Sequence, residues 1–169
     1  MNAHSARGYG IDPIVYPWPK ALVELPGSFE MRPREGIQCP SGAQAGIRLF
    51  RDEMRAEFGI ALNPSARGRI MIAADQRLAR EGYRLEVNEV CVRLEYGSPA
   101  GLIYGLDTLC SLVRRAERRR CIIPCCRVED GPYKPMRGIH LYMPGRENIA
   151  FFKRLLRYLA RLRLNTVFL

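Results

Sequence analysis

Residues 132–169 have the sequence PYKPMRGIHLYMPGRENIAFFKRLLRYLARLRLNTVFL, and this stretch carries the clearest fold signal in the chain. A short apolar-rich run at 137–141 is followed by a Pro-Gly turn, and Asn148 stands where it can cap a helix beginning at Ile149. Residues 166–169 form a second apolar run. Strand, helix and strand in such close succession predict a βαβ unit with parallel strands.

The helix predicted within this stretch has an apolar face and a basic face. Its apolar residues recur at helical spacing, at Ile149, Phe152, Leu155, Leu156, Leu159 and Leu162. One βαβ unit cannot cover both faces of a parallel sheet. We therefore expect 132–169 to begin a second, truncated domain. Its unpaired strand edge at 166–169 is expected to favour self-association.

Residues 81–113 predict a strand hairpin followed by a helix. Apolar and charged residues alternate over 81–87 and again over 90–96, with a turn at Asn88–Glu89, which is typical of a half-buried antiparallel pair. The helix predicted at 98–113 carries two glycines on one side, which would let it approach the sheet closely.

The N-terminal half of the chain contributes a further helix and further strands, so that 14–131 is predicted to form one α+β domain. Residues 1–13 are expected to be disordered. A helix is expected from Ser41, which has capping-box spacing to Gln44, until a stop at Gly59. Its expected apolar face consists of Leu49, Phe50, Met54 and Phe58. Further strands are expected at 14–16, 21–24, 28–31, 69–73 and 122–128, with Pro26–Gly27 as a turn. The expected fold is an antiparallel sheet with helices packed on one face.

Two groups of motifs resemble glycoside hydrolase family 20, the β-N-acetylhexosaminidases. Glu-Gly-Tyr-x-Leu at 81–85 and Gly-Leu-x-Tyr-Gly-x-x-Thr-Leu at 101–109 resemble the second half of the family's N-terminal accessory domain. The Arg-Gly at 137–138, the helix after it and the Leu-Asn that precedes the second strand resemble the entry into the family's catalytic barrel. The resemblance spans residues 14–169. It implies an accessory domain at 14–131, then the first βαβ unit of a truncated (β/α)8 (TIM) barrel.

The resemblance also implies a substrate and a site. The family hydrolyses terminal N-acetylhexosamine by a substrate-assisted retaining mechanism, without a cofactor. Arg137 matches the arginine that binds hydroxyls of the terminal sugar, a role that suits the fixed fork of guanidinium donors; pairing with a barrel carboxylate is the alternative role. The family places an aspartate five residues later and an arginine shortly beyond. This chain has Tyr142 at the first position and, with a shift of one residue, Arg146 as a second sugar-binding candidate.

No catalytic residue is expected in this chain. The family uses an adjacent Asp-Glu pair, the glutamate as general acid and the aspartate to orient the acetamide, and 132–169 contains no such pair. Asp52–Glu53 lies on the predicted solvent side of a helix in the other domain. His140 is expected to be a packed strand residue. We therefore expect the 169-residue chain to be inactive by itself.

Two other function classes remain open. The chain could be a non-catalytic scaffold or carbohydrate-interaction module. Less favoured is a basic nucleic-acid-binding fragment, because residues 114–169 carry 14 basic and 4 acidic side chains without the aromatic interleaving of RNA-binding surfaces. The basic run Arg114–Arg120 is instead expected to form the solvated end of the preceding helix.

The overall composition adds expectations about the core, the cellular location and the cysteines. A hydrophobic content of 47% suffices for a packed core, and neither a membrane-spanning run nor a secretory signal is found, so a cytoplasmic location is expected. The 6 cysteines are expected to be buried reduced thiols. A zinc site built from Cys121, Cys125, Cys126 and His140 is disfavoured, since their spacing matches no established ligand pattern, and no metal is expected.

Overall fold

The computed structural model describes residues 15–116 and 120–169, which fall into two compact units dividing between Gly131 and Pro132. Unit 1 comprises the residues up to 131 and unit 2 comprises 132–169. The disorder expected at 1–13 lies outside the described residues. No helix in the described ranges has the length and hydrophobicity that a membrane crossing requires.

Unit 1 is built on one sheet and two main helices. The helices are α1 (Gln44–Glu53) and α2 (Pro99–Leu112). The strands described are β1 (Ala21–Met31), β2 (Arg34–Gln38), β3 (Ala61–Pro64), β4 (Ile70–Ala74), β5 (Tyr83–Val87), β6 (Val92–Tyr96), β7 (Arg114–Arg115) and β8 (Cys121–Asp130). Their order is β1-β8-β5-β6-β4-β2-β3, with β7 paired to β8.

The sheet is mixed, so the prediction of an antiparallel sheet was wrong for one half of it. β1, β8, β5 and β6 pair antiparallel, whereas β6, β4, β2 and β3 pair parallel. The chain reaches the parallel partner β3 from β2 through α1, the kind of crossover that parallel pairing needs. Strands β2 and β3 were absent from the predicted set.

The hairpin of β5 and β6 is confirmed, and it forms the centre of the core. Tyr83, Leu85 and Val87 are fully buried, and each lies opposite a buried residue of β6. The Asn88 side chain closes the turn, since its Oδ1 accepts hydrogen bonds from the N–H groups of Val90 and Cys91 at 2.9 and 2.8 Å.

The opposite face of the hairpin carries charge. Arg84 lies 3.5 Å from Glu95 and 3.6 Å from Glu129, in exposed ion pairs that contribute little to stability. The sheet therefore has one apolar face and one solvated face, as the alternation of residue types predicted.

α2 lies against β5 and β6, and its glycines allow this close contact. A Cβ added at Gly101 would lie 2.4 Å from the carbonyl oxygen of Gly82, and one at Gly105 would lie 2.5 Å from Leu94 Cδ1. The predicted close approach is thus confirmed. The Tyr83 hydroxyl also hydrogen-bonds Thr108 Oγ1 on α2 at 2.6 Å, so the two unit 1 motifs meet in the core.

α1 follows the prediction at its end but not at its start. A 3-10 turn (Ser41–Ala43) leads into the helix and a π-helical turn (Met54–Phe58) ends it. The stop predicted at Gly59 is confirmed, and this glycine adopts a left-handed conformation with φ of 72°. The expected capping box is absent, since no side chain caps either helical start. Leu49, expected on the apolar face, is 64% exposed, because Ile47, Phe50 and Met54 occupy the buried side.

The first residues of unit 1 differ from the prediction. Residues 15–17 form bends instead of an edge strand, although Val15 is buried in the core. Pro26–Gly27 is not a turn between two strands. β1 continues through it with a register irregularity between Glu24 and Ser28, and Gly27 has a φ of 92°. A bulge of this kind bends a strand without ending it.

The basic run after α2 is also corrected. The helix ends at Leu112, and Arg114 and Arg115 form β7, paired with Ile122 and Cys121 of β8. These two arginines therefore belong to the sheet and not to the end of the helix. Residues 117–119 of the run lie outside the described ranges.

Unit 2 contains β9 (Gly138–His140), α3 (Ile149–Arg161) and β10 (Thr166–Phe168). The strands pair in parallel, with Val167 opposite Ile139, which confirms the predicted βαβ unit. Leu159 is buried, Phe152, Leu155, Leu156 and Leu162 are half-buried, and Ile149 is exposed. α3 begins where predicted, but the Asn148 amide donates to the Glu147 carboxylate and does not cap the helix.

Candidate functional site

Parallel α/β structures bind their ligands beyond the carboxyl ends of the strands. In unit 2 this edge carries His140 of β9, which is the register partner of Phe168 of β10, and the turn that follows β9. Tyr142 in that turn is 90% exposed, and its ring centroid lies 5.9 Å from that of His140. The edge thus presents aromatic rings to solvent. His140 was predicted to be packed in the strand, but it is exposed, because the buried side of this short strand is that of Ile139.

Arg137 lies at the opposite, amino end of β9. Its Nε donates a hydrogen bond to the carbonyl oxygen of Arg163 at 2.6 Å, and its Nη1 donates one to the carbonyl oxygen of Lys134 at 2.6 Å. Both acceptors are backbone groups, so the guanidinium holds the chain before β9 against the turn that ends α3.

Two residues that the sequence did not single out complete this junction. Arg163 adopts a left-handed conformation with φ of 64°, which turns the chain from α3 toward β10. Asn165 then accepts a hydrogen bond from the Arg137 backbone N–H through Oδ1 at 3.0 Å and donates one to the Pro135 carbonyl at 2.7 Å. The Leu-Asn element before the second strand was predicted only as part of a motif, and its Asn165 connects the starts of the two strands.

Arg146, the second candidate, lies in a 3-10 turn (Arg146–Asn148) after the carboxyl end of β9, and it is exposed. The structure therefore places Arg137 and Arg146 at opposite ends of a strand of 3 residues and does not bring them together. Arg146 shares its edge with His140 and Tyr142, where a ligand would be expected.

Carboxylates are scarce in unit 2. Glu147 is its only acidic residue, and its Oε1 accepts a hydrogen bond from the Asn148 amide at 3.0 Å. An arrangement that protonates a leaving group and also orients a nucleophile needs two acidic groups. Unit 2 by itself thus presents aromatic and cationic groups at this edge, but it has no second acidic residue for such chemistry.

Unit 1 holds an acidic cluster that the sequence did not suggest. The cluster consists of Glu53, Glu57 and Cys110. Each residue offers one possible metal-ligand atom, and these three atoms lie within 4.8 Å of one another. Glu53 was expected on the solvated side of α1, but it is half-buried at the start of the π-helical turn. Asp52, its neighbour in the Asp-Glu dipeptide, is exposed, so the two carboxylates do not form a joint site.

The cysteines are all free thiols, of which Cys110, Cys121, Cys125 and Cys126 are buried and the other two half-buried. Burial raises the pKa of Cys126 to about 12, and burial also raises the pKa values of Cys121 and Cys125. Because the thiolate is the metal ligand and the nucleophile, these groups are unsuited to either role.

Residues 12–131 match the family model described as glycosyl hydrolase family 20, domain 2. The exo-β-N-acetylglucosaminidase of Vibrio harveyi, solved in complex with N-acetylglucosamine, aligns with a TM-score of 0.81 and 26% identity over 91% of this chain and 25% of that one.

Two further solved structures share the fold. The β-N-acetylhexosaminidase of Bacteroides fragilis aligns with a TM-score of 0.80 and 23% identity, over 94% of this chain and 32% of that one. A mutant β-hexosaminidase of Streptomyces plicatus, in complex with its product GlcNAc, aligns with a TM-score of 0.77 and 21% identity, over 94% of this chain and 34% of that one. The chain thus spans 25% to 34% of the length of these proteins.

Proposed function

Because this chain belongs to glycosyl hydrolase family 20, we propose that it forms the N-terminal portion of a glycosidase that removes terminal N-acetylhexosamine from its substrates. The observation that carries the proposal is the order of its parts: a unit 1 that matches family domain 2 is followed directly by a parallel βαβ unit. Solved relatives of the same fold are named as N-acetylhexosamine hydrolases, and two are complexes with GlcNAc.

In this proposal unit 1 is the accessory domain and unit 2 is the first βαβ unit of a catalytic (β/α)8 barrel. Three features support the second assignment: the parallel pairing of β9 and β10, the amphipathic helix between them, and the exposure of Phe168 and Leu169 at 50% and 63%. In a closed barrel, further strands would pair with both open edges and cover such residues.

The chemistry would combine this chain with acids from elsewhere in the barrel. In a substrate-assisted mechanism, one carboxylic acid protonates the leaving oxygen while another carboxylate orients the acetamido group that attacks the anomeric carbon. Unit 2 offers only Glu147, on a surface turn, so we propose that the chain by itself does not turn over substrate.

The proposed part of this chain in catalysis is to bind the sugar. We propose Arg137 as a donor to sugar hydroxyls, supported by its match to the family motif and by a guanidinium already fixed on two backbone carbonyls. Its place at the amino end of β9 means that the side chain would have to reach a ligand along the strand. Arg146, already at the carboxyl edge, is the second candidate for the same contact.

The test is the release of nitrophenol from 4-nitrophenyl N-acetyl-β-D-glucosaminide. The 169-residue chain should release none, and the protein produced from the whole reading frame that contains it should be active. Turnover by the isolated chain would show that the acids assigned to other segments are not needed. An inactive whole protein that binds N-acetylglucosamine would favour a non-catalytic carbohydrate-binding module.

A scaffold role is the second candidate, and the core of unit 1 favours it. The residues of the main hydrophobic cluster extend from Val15 to Val128, all of them within unit 1. The fragment 1–131 should therefore unfold cooperatively on its own. If it does so and N-acetylglucosamine leaves its amide spectrum unchanged, unit 1 is a structural brace; sugar binding by the fragment would assign it a recognition role.

A further inference from the structure

A cleft of about 660 Å³ opens in unit 1 at the amino end of α1, beside edge strand β3. Its volume lies within the range of small-molecule sites. Ile47 and Pro64 contribute apolar surface, and Ser41 and Gln44 contribute polar groups. The most distinctive members of the lining are two arginines, Arg48 and Arg51, and no lining residue is acidic.

The two arginines lie three residues apart on α1, a spacing that places side chains next to each other on a helix. The guanidinium group of neither residue makes a hydrogen bond or an ion pair with the described residues, and the Arg51 Nε is buried without a partner among them. Other arginines of unit 1 are paired: Arg69, Arg77 and Arg127, for example, lie against carboxylates. In native folds an unsatisfied buried donor is explained by strain or by a water or an ion bound to it, and a ligand in the cleft could supply the acceptor for Arg51.

The helix itself adds to the positive potential of the cleft. Ser41 begins the 3-10 turn that leads into α1, and neither Pro40 nor Ala43 supplies a side-chain cap. The first N–H groups of the helix and the positive end of its dipole therefore face the same cleft that Arg48 and Arg51 line. Two cations and a helix start at one cleft, without a counter-charge in its lining, are complementary to an oxyanion.

We propose that this cleft binds a small organic anion, about the size of a monosaccharide, that carries a carboxylate, sulfate or phosphate group. Arg48 and Arg51 would bind the oxyanion, while Ser41 and Gln44 would contact neutral hydroxyls and Ile47 and Pro64 would pack against the body of the molecule. The cleft is far larger than a bare inorganic ion, and this favours an organic ligand. The site is independent of the hydrolase proposal, since none of its residues lies in unit 2.

The experiment is an NMR titration of the 169-residue chain with glucuronate, glucose 6-sulfate and glucose 6-phosphate, with glucose, inorganic sulfate and inorganic phosphate as comparison probes. At least one sugar anion should shift the amide signals of Ser41 and Gln44 with saturation, and neutral glucose should not. The identity of the best anion distinguishes the three oxyanion chemistries. Loss of one charge-assisted contact should weaken binding by about tenfold or more, so Arg48→Gln and Arg51→Gln should each do so.

The matched control is Arg55→Gln, which removes the same charge from an exposed side chain outside the cleft and should leave the affinity unchanged. If all three arginine variants weakened anion binding equally, the loss would reflect the net charge of the protein and not a specific site, and the proposal would be overturned. Binding of inorganic sulfate as tight as that of the sugar anions would mean an adventitious ion only. Absence of saturable shifts with every probe would also refute the site. Arg48 is exposed, so its variant decides the matter even if Arg51→Gln destabilises the fold.

Discussion

The two units bury their apolar residues to very different extents. In unit 1, Tyr83, Leu85 and Leu94 are 0% exposed, and a continuous hydrophobic cluster includes both helices and most strands. In unit 2, Leu159 is the one described apolar residue that counts as buried, while Phe151 and Tyr158 on α3 are 58% and 60% exposed. Unit 1 therefore has its own core, whereas unit 2 is a supersecondary element with unsatisfied apolar surface.

This difference follows from topology. A sheet with one solvated face needs only one covering layer. In unit 1, α2 packs on β5 and β6, α1 packs against α2, and both helices contribute residues to the core. A parallel βαβ unit has a helix on one side and open strand edges, and it becomes stable when further units close around it. We expect the two units to respond differently to perturbation, and the following experiments test that expectation in order of decreasing effect.

The largest effect is expected from Leu85→Ala in the centre of the unit 1 sheet. Leu85 is 0% exposed, so the substitution should leave a cavity and lower the free energy of unfolding by about 2–5 kcal/mol. Urea unfolding can be followed by the fluorescence of Trp18, the single tryptophan, which lies in unit 1. Leu159→Ala is the matched substitution in unit 2 and should leave the Trp18 transition unchanged. An equal shift of that transition by both variants would mean that the units share one cooperative core.

The sequence predicted the centre of unit 1 well because its signals there are local. The alternation over 81–96 and the helical spacing over 98–113 each depend on neighbouring residues, and both elements formed as expected. β2 and β3 were not predicted because they are short, of 5 and 4 residues, and contain Gly36 and Pro64, which interrupt the alternation of apolar and polar residues. The parallel pairing of β2 and β3 could not be inferred from the sequence, since it depends on where the chain emerges in space after α1.

The site was less predictable than the fold. The family motif singled out Arg137, but its hydrogen bonds depend on the left-handed conformation of Arg163, and arginine is a residue for which sequence offers no reason to expect that backbone. The exposure of His140 could not be predicted, because its strand has only 3 residues and is too short for a periodic pattern to show which side is buried. The cleft beside α1 joins residues on three segments, which no local motif connects.

The contact between α2 and the sheet should be the next most sensitive feature. Gly101→Ala would place a methyl group 2.4 Å from the Gly82 carbonyl oxygen, where only the backbone could move, and should cost about 1–3 kcal/mol of stability. Gly42→Ala is the matched control, since a Cβ there meets nothing within 4 Å. Thermal unfolding followed by circular dichroism measures both. A Gly101→Ala protein as stable as the Gly42→Ala protein would show that α2 can lift from the sheet without loss.

A smaller and more local effect is expected from Arg137→Lys. The substitution removes the fork that donates to the carbonyls of Arg163 and Lys134, so amide hydrogen exchange in β9 and β10 should accelerate by about tenfold or more. Amides of unit 1 should keep their protection. Arg146→Lys, on an exposed turn, is the control, and it should change neither the exchange rates in β9 and β10 nor the protection of unit 1 amides.

The same variant also tests sugar binding. In the protein produced from the whole reading frame, an increase in KM for Arg137→Lys, beyond any change that Asn165→Ala produces, would indicate a contact with substrate. Asn165 belongs to the same junction, so its variant shows what loosening of the strand starts does alone. Equal kinetic effects of the two variants would reduce Arg137 to a structural residue.

The weakest effect should appear in the association of whole chains. β10 pairs on one side with β9, and Phe168 at its end is 50% exposed, so its other edge can pair with a second chain. We expect sedimentation to show reversible self-association that grows with concentration and is absent from the fragment 1–131. Phe168→Lys should weaken it by placing a charge at the edge, whereas Val90→Lys, at an exposed apolar position in the turn of unit 1, should not. A full chain that stays monomeric at every concentration would show that the open edge of unit 2 is covered within the molecule, and the contrast between a closed and an open unit would then fail.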